Sequence, residues 1–243
     1  MSKKFFRALI LLICLTLVAP FLNATKAFAA TEPQIMGASA ITMDLDTGEI
    51  IYSKNADVQR SPASTTKLLT SLLFAENKNK SDIISYSDVS AAVTETSLTN
   101  FIGNTAKAGD TLTADEVMDA VMVYSANDAA VMMAESVAGS VDAFSELMNE
   151  KAKEIGAVNS HFVSPNGLET DPNNHNVTTA YDLALIASAA YQNDWVREAS
   201  GLAKTSVTLD GKKIYIETRD KILGVDGNIV VKLVMKQKLD IVL

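Results

Sequence analysis

Apolar and polar positions alternate most clearly near the start of the mature chain. Ile41, Met43 and Leu45 are separated by polar residues, Asp46-Thr47-Gly48 offers a turn, and Ile50 to Tyr52 follow. A two-residue period broken by a turn predicts a β-hairpin. The next run, SPASTTKLLTSLL from Ser61 to Leu73, changes its period. Leu68, Leu69, Leu72, Leu73 and Phe74 are apolar on more than one face, which predicts a helix passing through the middle of a domain. Ser61 is placed to cap that helix and Pro62 to occupy its first position.

The segment from Ser81 to Asp110 is mixed and rich in Ser and Thr, and predicts no regular element. Beyond it, Thr113 and Glu116 have the spacing of a capping box ahead of the stripe Val117, Met118, Val121 and Met122, which predicts a core helix. Ser125-Ala126-Asn127-Asp128 interrupts the pattern, and AAVMMAESVAG resumes it. Ser140 is placed to cap a further helix that Gly156 ends. A loop rich in Pro, Asn and Gly runs from Ser160 to Asn176, a helix from Thr178 to Tyr191, and two strands flank the Asp210-Gly211 turn. Strands, then helices, then strands again predict an α+β domain with a mostly antiparallel sheet packed with helices.

Residues 1–29 stand apart. Lys3, Lys4 and Arg7 precede an apolar run from Ala8 to Leu22, and Ala27-Phe28-Ala29 supplies small residues around a cleavage site. This layout predicts a secretory signal peptide over 1–29, leaving 30–243 as the folded domain. The alternative is an uncut anchor, since the run approaches the ~20 apolar residues of a spanning helix. Pro20 breaks the run and favours cleavage. The leader holds Cys14, the single cysteine, and four of the 21 basic residues, so the remainder carries 17 basic against 29 acidic residues, a net charge of -12. Disulfides and cysteine metal sites are thereby excluded, and the acidic balance argues against nucleic acid as a partner. An exported chain without cysteine suits the extracytoplasmic face of a bacterial envelope.

The candidate chemistry lies at Ser64 and Lys67. Side chains three apart on a helix are neighbours, so hydroxyl and amine can meet. Unpaired N–H groups and the dipole at a helix start would stabilise an oxyanion forming near Ser64. Serine is a weak nucleophile without a base, and lysine serves as one only when neutral, a state that burial favours. His161 and His175 lack the spacing of a zinc-binding helix, so no metal and no cofactor is expected.

With Ser64-Thr65-Thr66-Lys67 and, downstream, Tyr124-Ser125-Ala126-Asn127-Asp128, the chain resembles the serine-type D-alanyl-D-alanine carboxypeptidases, the low-molecular-weight penicillin-binding proteins. The hairpin MDLDTGEIIYSKNAD, the segment HFVSPNGL and TTAYDLALIASAA extend the resemblance over most of residues 36–230. It implies the penicillin-binding/β-lactamase-like transpeptidase fold, with Ser64 as nucleophile, Lys67 as its base, Ser125 as proton relay and Asn127 as a holder of the substrate backbone. The implied substrate is the peptidoglycan pentapeptide stem, and the implied inhibitors are β-lactam antibiotics. Ser164-Pro165-Asn166 also fits Ser-x-Asn, and Lys204-Thr205-Ser206 imitates a third motif upstream of its expected place.

The family's third motif, Lys-Thr-Gly after an Asp-Gly turn, is broken. Asp226-Gly227 and Lys232 are present, and Lys232 is the candidate substrate-binding lysine, but Leu233 and Val234 replace threonine and glycine. Restoring one A to an AAA codon at Lys232 turns Lys-Leu-Val-Met-Lys into Lys-Thr-Gly-Tyr-Glu for one choice of codons. The sequence thus predicts a chain truncated or frameshifted before that motif. It would lack the carboxylate grip, the last sheet strands and the C-terminal membrane-attaching segment, would expose a strand edge, and would turn over little substrate. Two other readings stay open. A serine β-lactamase would need a deacylating carboxylate, for which Glu169 is the nearby candidate, and the broken motif suits a non-catalytic envelope protein.

Overall fold

The first hairpin forms because Asp44 closes its turn. In the computed structural model, which describes residues 35–101, 106–218 and 241–242, strand β1 (Ser39–Met43) pairs antiparallel with β2 (Ile50–Lys54). Asp44 Oδ1 accepts from the Thr47 hydroxyl at 2.7 Å, the Thr47 N–H at 2.7 Å and the Asp46 N–H at 3.1 Å. These bonds, the Thr47 hydroxyl foremost, hold the Asp44 carboxyl below the usual carboxylate range.

The apolar run after Lys67 becomes helix α1 (Lys67–Asn77), buried from Lys67 to Phe74. It is hydrophobic nearly all round because helices pack on several of its sides. The mixed, Ser/Thr-rich stretch contains β3 (Ile83–Ser85) and the single-turn helix α2 (Asp88–Ala91). Polar composition hid both. Ser87 caps α2 with a Ser-Ser capping box, and β3 pairs antiparallel with β4 (Thr111–Thr113).

The predicted capping box starts α3 (Ala114–Asp119). The Thr113 hydroxyl accepts the Glu116 N–H at 3.2 Å, and Glu116 accepts the Thr113 N–H at 2.9 Å. The helix then widens into a π-helical turn, Ala120–Tyr124, which ends where Ser125 adopts φ 68°. Helix α4 (Asn127–Ala138) follows and stops at Gly139, and α5 (Val141–Glu154) starts from the predicted Ser140 cap. Thr179 caps α6 (Ala180–Gln192).

Helix α7 (Asp194–Ser200) lies in a region for which the pattern predicts nothing; the Asn193 side chain caps it. Trp195 on α7 tilts against Phe74 with ring centroids 5.7 Å apart, and its indole N–H donates to Asp115 at 2.8 Å.

The second predicted hairpin is β5 (Lys204–Leu209) and β6 (Lys212–Glu217), with Asp210 and Gly211 both at positive φ as a tight hairpin turn requires. Val207, Leu209, Ile214 and Ile216 alternate inward and are buried against the helices. Strand β7 (Ile241–Val242) pairs parallel with β1 at Ser39 and Ala40. Among the described residues the strands form three small sheets rather than one, and the β1–β7 pair is the departure from antiparallel order.

Candidate active site

Ser64 does not stand in the first turn of an α-helix capped by Ser61. Residues Ala63–Thr66 form a 3-10 turn preceded by Pro62, with no side-chain cap, and α1 begins at Lys67. Ser61 Oγ is buried with no hydrogen-bond partner among the described residues. The cause is Ala63, whose φ of 47° is left-handed and cannot continue a right-handed helix back to Pro62. The tighter turn also spends an N–H expected to be unpaired, because Thr65 N–H donates to Pro62 O at 3.2 Å.

The hydroxyl and the amine nevertheless meet. Lys67 Nζ donates to Ser64 Oγ at 3.2 Å, and Lys67 is 0% exposed. Nζ also donates to the Asn166 carbonyl at 2.8 Å, which comes from the loop rich in Pro, Asn and Gly. This second contact fixes where the amine lies.

That loop is locked to α1 through main-chain atoms. The Thr70 hydroxyl donates to Pro165 O at 2.6 Å, one turn beyond Lys67. Gly167, at φ +79°, lies so close to the turn that a Cβ there would sit 1.9 Å from Ala63 O and 2.8 Å from Thr66 Oγ1. The buried Asn176 carboxamide finishes the lock: Oδ1 accepts the N–H groups of Val163 and Ser164 at 2.8 and 3.0 Å, and Nδ2 donates to Ser164 O and Thr66 Oγ1 at 2.9 and 3.1 Å. Ser164-Pro165-Asn166, which reads as a chance copy of Ser-x-Asn, is therefore part of the site through its backbone. Its signal was the Pro-Asn-Gly run, since close approach of two backbones demands glycine.

Ser125 and Asn127 sit at the junction of the π-helical turn and α4. Both elements pack on α1, and Ser71 Oγ contacts Met122 Sδ at 3.2 Å one turn beyond Lys67. Ser125 is buried in a left-handed conformation, and its Oγ has no hydrogen-bond partner among the described residues. Asn127 is 3% exposed; its Nδ2 donates to Glu95 O at 2.7 Å and its N–H to Thr96 O at 2.8 Å, while Oδ1 has no such partner. A buried acceptor left open is costly unless a ligand or a water fills it.

Under this junction lies Asp128, wholly buried. Oδ2 accepts the Tyr86 hydroxyl at 2.9 Å and the N–H groups of Leu98 and Thr99 at 2.9 and 3.3 Å; Oδ1 accepts its neighbour Ala129 N–H at 2.9 Å. Burial pushes the Asp128 carboxyl up against the opposing pull of these donors, and burial with the adjacent carboxylate pushes the Tyr86 phenol up.

Of the remaining candidates, Lys232 lies outside the described residues. Lys204-Thr205-Ser206 belongs to β5, where the Thr205 hydroxyl donates to Asp119 at 2.9 Å. Burial raises the Asp119 carboxyl to about 6, opposed by the Thr205 bond. Glu169 is exposed. His161 is also exposed, and its main chain bridges to Val177. Among the described residues, no group of three or more His, Cys, Asp or Glu side chains could hold a metal ion.

The family model described as D-alanyl-D-alanine carboxypeptidase matches residues 26–234. The D-alanyl-D-alanine carboxypeptidase DacF of Bacillus subtilis is 31% identical over 199 residues, covering 78% of this chain and 49% of DacF. DacA of Escherichia coli is 32% identical, with 80% of this chain and 49% of DacA covered. The chain thus spans about half the length of these curated relatives. A D-alanyl-D-alanine endopeptidase of Escherichia coli is 31% identical, over 76% of this chain and 60% of its own.

Among solved structures, the D-alanyl-D-alanine carboxypeptidase of Mycobacterium tuberculosis superposes with TM-score 0.73 at 27% identity, covering 83% of this chain and 73% of that one. Penicillin binding protein 6B of Escherichia coli gives TM-score 0.69 at 27% identity, covering 83% and 63%. The architecture is the penicillin-binding, DD-transpeptidase fold. The length of the match, the identities and the shared fold together place this chain in the D-alanyl-D-alanine carboxypeptidase family.

Proposed function

We propose that the chain is built as a serine D-Ala-D-Ala carboxypeptidase acting on peptidoglycan stem peptides outside the cytoplasmic membrane, with residues 1–29 as its secretory leader. The observation that carries this reading is the fully buried Lys67 amine 3.2 Å from Ser64 Oγ. In the proposed sequence, neutral Lys67 accepts the hydroxyl proton as Ser64 Oγ attacks the carbonyl carbon of the penultimate D-alanine. The tetrahedral intermediate collapses, the C–N bond breaks, and Ser125 passes a proton to the departing amine of the last D-alanine. Water then attacks the acyl-enzyme ester, giving back the serine and releasing the shortened peptide. The open Asn127 Oδ1 supports its part as acceptor for a substrate backbone N–H.

A second reading has a specific observation behind it. Leu233 and Val234 follow Lys232 where the family has threonine and glycine, so an envelope protein of this fold with impaired turnover is the competing proposal. A fluorescent penicillin separates the readings. Stable labelling that Ser64→Ala abolishes supports the carboxypeptidase machinery, and rapid release of the label supports a β-lactamase. No labelling of a folded protein overturns the first reading in favour of the second.

A further inference from the structure

Asn127 is held by a loop that its neighbour holds too. The Asn127 N–H and Nδ2 donate to the carbonyls of Thr96 and Glu95, at 2.8 and 2.7 Å. Two residues farther along the same loop, the N–H groups of Leu98 and Thr99 donate to Asp128 Oδ2 at 2.9 and 3.3 Å. Tyr86, from the segment after β3, donates its hydroxyl to the same oxygen at 2.9 Å. The loop is also tied to itself: Thr99 Oγ1 donates to Val93 O at 3.1 Å, Ser97 Oγ to Thr94 O at 3.1 Å, and Ser97 and Thr99 share a hydroxyl contact at 2.6 Å. Thr96 at its tip is held at φ 46°, a conformation a threonine keeps only when its surroundings enforce it.

We infer that Asp128 is a positioning residue: by gripping Leu98 and Thr99 it fixes the loop whose carbonyls orient the Asn127 carboxamide with Oδ1 toward substrate. The geometry gives the direction of the effect. An amide has one donor end and one acceptor end, and Glu95 O engages the donor end. The acceptor end is therefore the one left open, as Asn127 Oδ1 is. If the loop shifts, nothing selects between the two flipped orientations of the amide, and in one of them Nδ2 faces the substrate N–H and repels it. Asp128 is suited to this grip because a carboxylate accepts several N–H and O–H donors and donates none, so its own orientation is unambiguous. The inference rests on the proposed use of Asn127 as a substrate acceptor, and its test is chosen to be readable without turnover.

Hydrogen exchange followed by NMR on the unaltered chain tests the coupling. The Asn127 side-chain amide and the backbone amides of Leu98, Thr99 and Asn127 are expected to exchange as one unit, with a common opening constant. In Asp128→Asn, which exchanges one acceptor oxygen for a donor at nearly equal size, all four are expected to exchange at least about tenfold faster, the equivalent of one lost hydrogen bond to a charged group. Amides of the β5–β6 hairpin, such as Val207 and Ile214, should be unchanged. Should Asp128→Asn fail to fold, Tyr86→Phe removes one donor from the same carboxylate and is expected to speed the same four amides by a smaller factor. Independent exchange of the Asn127 side chain and the Leu98 and Thr99 amides in the unaltered chain overturns the inference. So does uniform acceleration across the hairpin, which marks global loosening. Coupled exchange with no penicillin labelling would sustain the positioning and overturn the proposed activity, so the two failures are distinguishable.

Discussion

Replacing Gly167 by alanine would strike the site through its backbone. The added Cβ meets Ala63 O at 1.9 Å and Ala63 C at 2.5 Å, both main-chain atoms of the turn that presents Ser64. Neither can swing aside, so the loop or the turn must move by more than an ångström. Overpacking of this kind costs about 1–3 kcal/mol and sometimes more. The φ of +79° adds about 1–2 kcal/mol for any residue with a Cβ. The expected loss is therefore roughly 2–5 kcal/mol. Gly48→Ala is the matched control, since Gly48 also has positive φ, +74°, but no atom within 4 Å of its would-be Cβ. It should lose only the conformational part. Urea unfolding of the parent and both variants, compared by midpoint at constant slope, measures the difference. Because Asn166 O carries one of the Lys67 contacts, penicillin labelling of Ser64 should also fall in Gly167→Ala and not in Gly48→Ala. Equal destabilisation by the two substitutions would refute the backbone-contact argument.

Two further substitutions probe the same framework. Asn176→Ala strands the N–H groups of Val163 and Ser164 and should cost about 3 kcal/mol in a urea melt, and Asn176→Asp, which keeps their acceptor but sets an oxygen against Ser164 O and buries a charge, should not rescue it. Asp119 tests the electrostatics: its carboxyl is raised from 3.8 to about 6 by burial, with Asp115 and Glu116 adding to the rise and Thr205 and Lys80 opposing it. The folded state therefore keeps this proton while the unfolded chain loses it, so stability falls as pH climbs from about 4 to 6 and the penalty is constant above that. A fully buried group shifted this far would cost about 3 kcal/mol, which partial exposure reduces to roughly 1 kcal/mol. Asp119→Asn should thus stabilise the chain at pH 7 to 8 and give no gain below pH 4, as thermal melts across pH would record.

The elements with strong periodicity or explicit caps could be read in advance. Both hairpins follow from alternation and turn residues, and the helices begun by Thr113 and Ser140 carry capping side chains that the chain spells out, while the helix expected from Thr178 starts after a Thr179 cap. The Ser64 helix was read correctly in its apolar body and wrongly at its start. Nothing in the local sequence signals that Ala63 is left-handed, or that the 165–167 loop packs its backbone against the Ala63 carbonyl. The same reason explains why Ser64, Lys67, Ser125 and Asn127 could be named beforehand whereas Pro165, Asn166, Glu95 and Thr96 could not. Ser64 and Lys67 are singled out by side-chain chemistry and Ser125 and Asn127 by the family resemblance, whereas the second group touches them through carbonyl oxygens that every residue type possesses. Helices α2 and α7 were missed for their shortness, since one or two turns leave too few positions for a period to emerge.

A framework made of peptide carbonyls has an evolutionary consequence. Residues 95, 96 and 166 lend the amine and the amide a peptide oxygen that substitution leaves in place; the exposed Glu95 side chain is at liberty to diversify, while the buried Asn166 carboxamide accepts the Leu168 N–H at 3.0 Å and is tied to its own loop. Variation at the exposed Glu95 can change size or charge beside the Asn127 amide without a mutation ever reaching Ser64.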